Sequence, residues 1–184
     1  MSNVELLSAV IGKHAAQRVY QGSLVALFNA PTNRSKHHRG LHAARELIRR
    51  ALAESICDGP ILCSSNAVRD YLRLHFLGQE HESLVVLFLD CRQCLVAMEE
   101  LFRGTLDQTT VFPREVVKRA LYWNAAAIML VHNHPSGTAD PSFMDLHLTK
   151  ALAIVLELVH VRILDHFVVS GNSISSFVER GYWW

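Results

Sequence analysis

The sequence lacks an excess of charge of either sign, since 18 lysine and arginine residues stand against 17 aspartate and glutamate residues. This balance indicates neither a nucleic-acid partner nor a membrane partner. The sequence also lacks a run of the roughly 20 apolar residues that cross a bilayer, and its start shows no signal pattern. We therefore expect a soluble, cytoplasmic protein whose four cysteines are reduced.

Length and composition indicate one main core with a small accessory segment, because half of the 184 residues are hydrophobic. Apolar spacing predicts helices from Val4 to about Ser55, and this first third carries most of the positive excess. The turn Asp58-Gly59-Pro60 is the predicted boundary. We expect a short helical segment over 1–60 and an α/β domain over 61–184.

Strands and helices alternate after that boundary. A helix is predicted for Ser65–His75, capped by Ser64 or Ser65, and further helices begin at Pro113 and Ser142. The predicted strands are SLVVLFLD, LVAMEELF, AAAIMLV and VRILDHFVV, with hairpin turns at 91–93 and 171–172. AAAIMLV shows no alternation, which favours a central strand covered on both faces. The pattern predicts a mixed sheet flanked by helices.

His132 and His134 stand two residues apart at the end of that central strand, so both imidazoles point to the same side. Asp145 follows a loop, on the first turn of the next helix. Two histidines and one carboxylate with a fourth position open are typical of catalytic zinc. Each part has another reading, because Ser142-x-x-Asp145 is also a helix cap and strand-end histidines also serve as plain hydrogen-bonding groups. The combination favours a metal site.

The segment HNHPSGTADPSFMD resembles the metal motif of the JAMM (JAB/MPN) metalloproteases, in the form found in bacterial RadC-like proteins. The resemblance runs from about Ile61 to Gly181, through LVVLFLD, LFRGTL, PREVVKRAL, NAAAIMLVHNHPSG, LTKAL and VRILDHFVV. It implies a JAB/MPN-type mixed β-sheet flanked by helices. It also implies hydrolysis of a peptide or isopeptide bond in an unidentified peptide or protein substrate.

The resemblance implies a role for particular residues. The implied Zn²⁺ ligands are His132, His134 and Asp145. Ser142 would stabilise the oxyanion and Glu82 would act as the general base. Asp165 or His166 would support the metal ligands from behind.

Two other glutamates compete with Glu82 as the general base. Glu80 would point the same way as Glu82 if the strand began early, so the local sequence does not choose between them. Glu115 ranks last, because its charge in the first turn of a predicted helix already complements the helix dipole.

The N-terminal segment offers a second hypothesis, a DNA-associated accessory protein with a structural metal and no catalysis. ELLSAVIG, GSLVALFNA and LHAARELIRRAL resemble parts of the helical domain of RadC-like proteins, but its glycine hairpin is missing. Five basic residues of this segment either contact DNA phosphates or form a solvated helix face: Lys36, Arg39, Arg45, Arg49 and Arg50.

Two further patterns are weaker. Cys91-x-x-Cys94 has no second cysteine pair, so we interpret both as ordinary thiols, and the chain also lacks the His-x-Glu of zinc deaminases. The ending Tyr182-Trp183-Trp184 either packs back onto the core or contacts another chain. The oligomeric state is not readable from the sequence.

Overall fold

The structure, a computed structural model, describes residues 1–30, 35–57, 65–104, 111–135, 137–182 and 184. Its contacts divide the chain into two units, Met1–Ala51 and Leu52–Trp184. The predicted boundary turn at 58–60 lies outside the described residues, as do Cys63, Ser64 and Trp183. The boundary after residue 60 therefore stays a prediction.

The first unit is helical, as the apolar spacing predicts. Its elements are α1 (Asn3–Ile11), α2 (Lys13–Val19), α3 (Leu24–Asn29) and the part of α4 (Lys36–Cys57) up to Ala51. Ser2 and Glu5 form a reciprocal capping box at the start of α1. A small core holds the helices together through Leu7, Ala16, Leu27 and Leu41.

The second unit contains a five-stranded mixed sheet. The strands are β1 (Ser83–Leu89), β2 (Leu95–Arg103), β3 (Ala127–Asn133), β4 (Arg162–Ser170) and β5 (Ser173–Ser176). Their order is β2-β1-β3-β4-β5, and β3 is the central strand, as predicted. β3 pairs antiparallel with β1 and parallel with β4, while the two outer pairs are antiparallel. The predicted α/β fold with a mixed sheet is confirmed.

Helices cover both faces of the sheet. They are α5 (Ser65–Phe76), α6 (Pro113–Tyr122) and α7 (Phe143–Glu157). Every residue of β1 and β3 is buried, which explains why neither sequence alternates. Alternate side chains enter two cores: Val85, Leu87, Met129 and Val131 pack with α5, while Leu84, Val86, Ile128 and Leu130 pack with α6 and α7.

Both predicted hairpin turns are present. Asp90 Oδ1 accepts hydrogen bonds from the backbone N–H groups of Arg92 and Cys94, and Gln93 takes a left-handed φ of 63°. Cys91 and Cys94 are free thiols. The β4–β5 turn uses Gly171 at φ 56°, a conformation that glycine adopts without strain.

The C-terminal aromatic residues contact the second unit. Trp184 packs against the core beneath α6 and α7, and Tyr182 contacts the Phe177 ring edge-on at 5.5 Å. Of the two alternatives that the sequence left open, these contacts of Tyr182 and Trp184 correspond to packing onto the core. Within the described ranges, no helix is both long enough and apolar enough to cross a membrane.

A charged cluster joins β2 to α6. Glu99 accepts hydrogen bonds from Arg119 Nε at 2.6 Å and from Trp123 Nε1 at 2.9 Å. The Arg119 guanidinium also lies 4.3 Å from the centre of the Tyr122 ring. The hydrogen bond from Arg119 lowers the pKa of the Glu99 carboxyl.

We predict that Glu99→Gln lowers the free energy of unfolding by about 1 kcal/mol at pH 7, because a partly exposed, bidentate charged pair is lost. The folded-state pKa of Glu99 is depressed, so this stabilisation is present above the unfolded-state pKa and disappears as the pH falls through the folded-state value. Urea unfolding at pH 7 and below about pH 4 measures the difference in unfolding free energy between the wild type and Glu99→Gln. This difference should be smaller at the acidic pH.

The exposed neighbour Glu100 provides the matched control for this prediction. Glu100→Gln should change the unfolding free energy by less than about 0.5 kcal/mol at either pH. An equal loss in both variants would contradict a specific contribution from the Glu99 cluster.

Candidate metal site

Three side chains converge beyond the end of the central strand. His132 is the penultimate residue of β3, His134 follows the strand, and Asp145 lies in the first turn of α7. His132 Nε2 is 2.9 Å from His134 Nε2 and 3.1 Å from Asp145 Oδ1, while His134 Nε2 is 3.5 Å from Asp145 Oδ2. Two imidazoles and a carboxylate therefore form a group that can hold a metal ion.

Asp145 is held in place by the start of its own helix. The Ser142 hydroxyl accepts a hydrogen bond from Asp145 N at 3.2 Å, and Ser142 N donates to Asp145 Oδ2 at 2.7 Å. This is a reciprocal capping box. The capping and metal readings of Ser142-x-x-Asp145 are thus compatible, because the cap orients the carboxylate towards the histidines.

His134 is oriented by the loop that follows β3. Its Nδ1 lies 2.9 Å from the carbonyl oxygen of Thr138, which can only accept, so Nδ1 carries a proton and Nε2 faces the other ligands. The Ser170 hydroxyl lies 3.0 Å from the carbonyl oxygen of His134 and 2.6 Å from that of Gly137. The loop is therefore attached to the end of β4.

His166 lies behind His132. Its Nε2 is 2.8 Å from His132 Nδ1, and its Nδ1 is 2.6 Å from the hydroxyl of Thr149 on α7. Burial lowers the pKa of His166 well below its usual range, so the ring is neutral. Of the two residues predicted to support the site, His166 is the one that contacts one of the three converging side chains.

Asp165 points to the opposite face of β4, because adjacent residues of a strand alternate. Its carboxylate accepts hydrogen bonds from Ser176 Oγ at 2.5 Å, from His166 N at 2.7 Å and from Val178 N at 3.2 Å. Burial raises the pKa of Asp165, and these three donors oppose that rise. Asp165 joins β4 to the segment after β5 and does not touch the three ligands.

Glu82 lies beside the site because of the register between β1 and β3. Leu84, two residues after Glu82, pairs with His132 at the end of the β1–β3 ladder, and the negative charge of Glu82 acts on His134. Glu82 is partly buried, and its backbone carbonyl accepts a hydrogen bond from Gly104 N at 2.8 Å.

Asn133, between the two histidines, links this segment to β3. Its Oδ1 accepts a hydrogen bond from Ser83 N at 2.9 Å, and its Nδ2 donates to the carbonyl oxygen of His81, also at 2.9 Å. The amide thus binds the residues on both sides of Glu82. Because Asn133 is only 3 % exposed, these bonds are shielded from water.

Charges at the site reinforce one another. The hydrogen bond to Asp145 raises the pKa of His134, burial opposes this rise, and the negative charge of Glu82 adds to it. Burial alone would raise the pKa of Asp145, but its contacts with His132 and His134 outweigh burial and hold it well below the usual range. Asp145 is therefore a carboxylate at neutral pH, as a metal ligand must be.

The competing glutamates lie elsewhere. Glu80 is exposed, before the segment that Asn133 binds. Glu115 occupies the first turn of α6, as predicted, and also forms an ion pair with Lys118 at 2.7 Å. Of the three, Glu82 is the glutamate whose charge contributes to the raised pKa of His134.

Comparison with known families matches residues 62–182 to the RadC-like JAB domain. This match covers most of the second unit, including all the residues of the site. The chain belongs to the RadC-like JAB domain family. The predicted family is confirmed.

Relatives of this RadC-like JAB domain carry the name UPF0758, which states no reaction. The UPF0758 protein of Methylibium petroleiphilum is 56% identical over 141 residues, 77% of this chain and 64% of the relative. That of Leptothrix cholodnii is 54% identical over 151 residues, covering 82% and 66%. That of Herminiimonas arsenicoxydans is 45% identical over 199 residues, covering 98% and 89%. The chain thus spans just under two thirds of the first two relatives' length.

Two residues of this RadC-like JAB domain, Asn133 and Thr149, make contacts around the site that the sequence did not predict. The sequence signal for Asn133 is its position between the two histidines of the His-x-His pattern. Thr149 gave a weaker one, since it lies four residues after Asp145 and therefore on the same side of α7.

We predict that Asn133→Leu destabilises this RadC-like JAB domain by about 2–4 kcal/mol, because it leaves a buried Ser83 N–H and the His81 carbonyl without their partner. Ser83→Ala removes a hydroxyl 3.3 Å from Asn133 Oδ1 but keeps the backbone N–H, so it should cost less. Chemical denaturation of both variants measures their free energies of unfolding. A larger loss of stability in Ser83→Ala than in Asn133→Leu would contradict the prediction.

Proposed function

We propose that this RadC-like JAB domain is a zinc-dependent hydrolase of peptide or isopeptide bonds. The observation that carries the proposal is the convergence of His132 Nε2, His134 Nε2 and the Asp145 carboxylate. Two imidazole nitrogens and one carboxylate oxygen suit zinc, and they leave a fourth tetrahedral position for water or substrate.

The spacing of these atoms supports a tetrahedral ion. Zinc bonds of 2.0–2.1 Å in a tetrahedron place any two ligand atoms about 3.3 Å apart. His132 Nε2 lies 2.9 Å from His134 Nε2 and 3.1 Å from Asp145 Oδ1, and His134 Nε2 lies 3.5 Å from the other carboxylate oxygen, Oδ2. These separations are close to that value and support zinc as the ion.

Glu82 is the proposed general base. When bound, zinc acts as a Lewis acid and lowers the pKa of a coordinated water to about 7. The Glu82 carboxylate, just before the start of β1, would accept the water proton and return it to the leaving amine. Binding of both neighbouring residues by Asn133 supports this role, because a base must be held at a defined distance from the proton it takes.

Ser142 is the proposed oxyanion donor. Its oxygen accepts the N–H of Asp145, which leaves the hydroxyl proton available to another acceptor. The residue is exposed, at the end of the loop that leads into α7. A carbonyl oxygen that becomes negative beside the metal would receive that proton as a hydrogen bond.

The alternative function in DNA association gains no specific support. Glu46 forms ion pairs with Arg49 at 2.8 Å and with Arg50 at 2.9 Å, so two of the basic residues on α4 have acidic partners. These contacts agree with a solvated helix face. DNA binding stays a prediction of the sequence alone, and the substrate and partners of the whole protein stay proposals.

We predict one zinc ion per chain, measured by elemental analysis after dialysis. His134→Ala and Asp145→Ala should each reduce zinc affinity by at least about 100-fold, since each removes one of three ligands. His147→Ala is the matched control, because His147 is an exposed histidine on the same helix that hydrogen-bonds the carbonyl oxygen of Phe143. A folded wild type that takes up no zinc would falsify the proposed function.

We predict that Glu82→Gln keeps zinc but reduces hydrolysis by at least about 100-fold, because the amide cannot accept the water proton. Digestion of a peptide library and of isopeptide-linked peptides, read by mass spectrometry, measures the rate. Glu80→Gln, two residues away and exposed, should retain wild-type activity. Equal loss in both variants, or none in Glu82→Gln, would argue against Glu82 as the base.

A further inference from the structure

A hydrogen-bond network leads from His132 into the interior and returns to the helix that carries Asp145. We call His132, His166, Thr149 and the carbonyl of Asp145 the tautomer network. His132 Nδ1 contacts His166 Nε2 at 2.8 Å, and His166 Nδ1 contacts Thr149 Oγ1 at 2.6 Å. Thr149 Oγ1 in turn lies 2.6 Å from the Asp145 carbonyl oxygen. The network thus connects two of the three ligands through two side chains that are not ligands.

The direction of every bond in the tautomer network follows from its last member. A carbonyl oxygen can only accept, so the Thr149 hydroxyl donates its single proton to Asp145. Thr149 Oγ1 must then accept from His166, which places the His166 proton on Nδ1. His166 Nε2 is left with a lone pair and accepts from His132, so the proton of His132 is also on Nδ1. With Nδ1 committed to His166, His132 turns Nε2 towards His134 and Asp145.

Burial prevents water from replacing the hydrogen bonds of the tautomer network. His166 is 0 % exposed and Thr149 is 1 % exposed. The Phe177 ring stacks on His166 with the centroids 4.6 Å apart, which holds the plane of the imidazole. Reversing the network would direct two lone pairs at each other between Thr149 and the Asp145 carbonyl, an unfavourable contact at 2.6 Å.

We propose that Thr149 is a positioning residue that sets, through His166, which nitrogen of His132 is offered to the metal. The inference rests on the proposed zinc site for its purpose, but the tautomers themselves are properties of this chain. His134 needs no such residue, because its Nδ1 meets a backbone carbonyl directly. For His132, the carbonyl that orients the ring belongs to Asp145 and acts through two side chains.

Long-range ¹H–¹⁵N NMR of the histidine rings tests the proposal in the metal-free protein. In the wild type, His166 should carry its proton on Nδ1 and a bare Nε2. Thr149→Val keeps the shape but removes the acceptor, so His166 should lose the Nδ1–H form wholly or in part, whereas Thr149→Ser should keep it. A wild-type His166 protonated on Nε2, or an unchanged spectrum in Thr149→Val, would overturn the proposal. The wild-type spectrum decides even if the valine variant does not fold.

Zinc affinity, measured by competition with a chromophoric chelator, gives the second readout. Thr149→Val should weaken zinc binding by about 10- to 100-fold, the usual effect of losing a group that orients a metal ligand, and Thr149→Ser should restore it. Zinc binding that is equal in Thr149→Val and wild type would overturn the proposal while leaving the zinc site intact. A wild type that binds no zinc removes the proposed function, and the NMR result still decides whether Thr149 sets the tautomer.

Discussion

The position of β3 between an antiparallel and a parallel neighbour is the constraint on which the candidate site depends. Its pairing with β1 places Leu84, two residues after Glu82, beside His132, and its pairing with β4 brings His166 within 2.8 Å of His132. A shift of one residue in either register would turn the facing side chains to the opposite side of the sheet. Because the side chains of β3 pack into a core on each face of the sheet, that shift would disrupt both cores, so the packing of the cores also maintains the geometry of the site.

Asp145 shows how one residue can serve the fold and the site together. Its Oδ2 accepts the N–H of Ser142 and completes the helix cap, while its Oδ1 faces His132. The capping bond holds the carboxylate in one rotamer, which lowers the entropy lost when the ligands gather around an ion. A helix start is well suited to this task, since its unpaired N–H groups stabilise a negative charge.

Local periodicity predicted most of the fold and placed both histidines on one side, whereas Asp145, which follows a loop, was predicted from the combination of the His-x-His and Ser-x-x-Asp patterns. The unbroken apolar run before His132 predicted a central strand, and the spacing of two placed both imidazoles on one side. The choice between Asp165 and His166 was not readable, because it depends on the strand face that α7 covers. The roles of Asn133 and Thr149 likewise depend on partners 50 residues and 17 residues away in the chain. Composition also gave no sign of a unit division inside α4, between Ala51 and Leu52.

His166 and Thr149 place polar groups beside the core that packs with α6 and α7, which is otherwise apolar. Apolar residues of similar volume at such positions are often neutral or stabilising, so a buried polar network is weak evidence for stability. Each polar atom of this network nevertheless has a partner, which removes most of the cost of burying it. What the network supplies, and an apolar core cannot, is a defined proton position on His132. The proposed orientation of His132 therefore explains the arrangement better than stabilisation of the fold does.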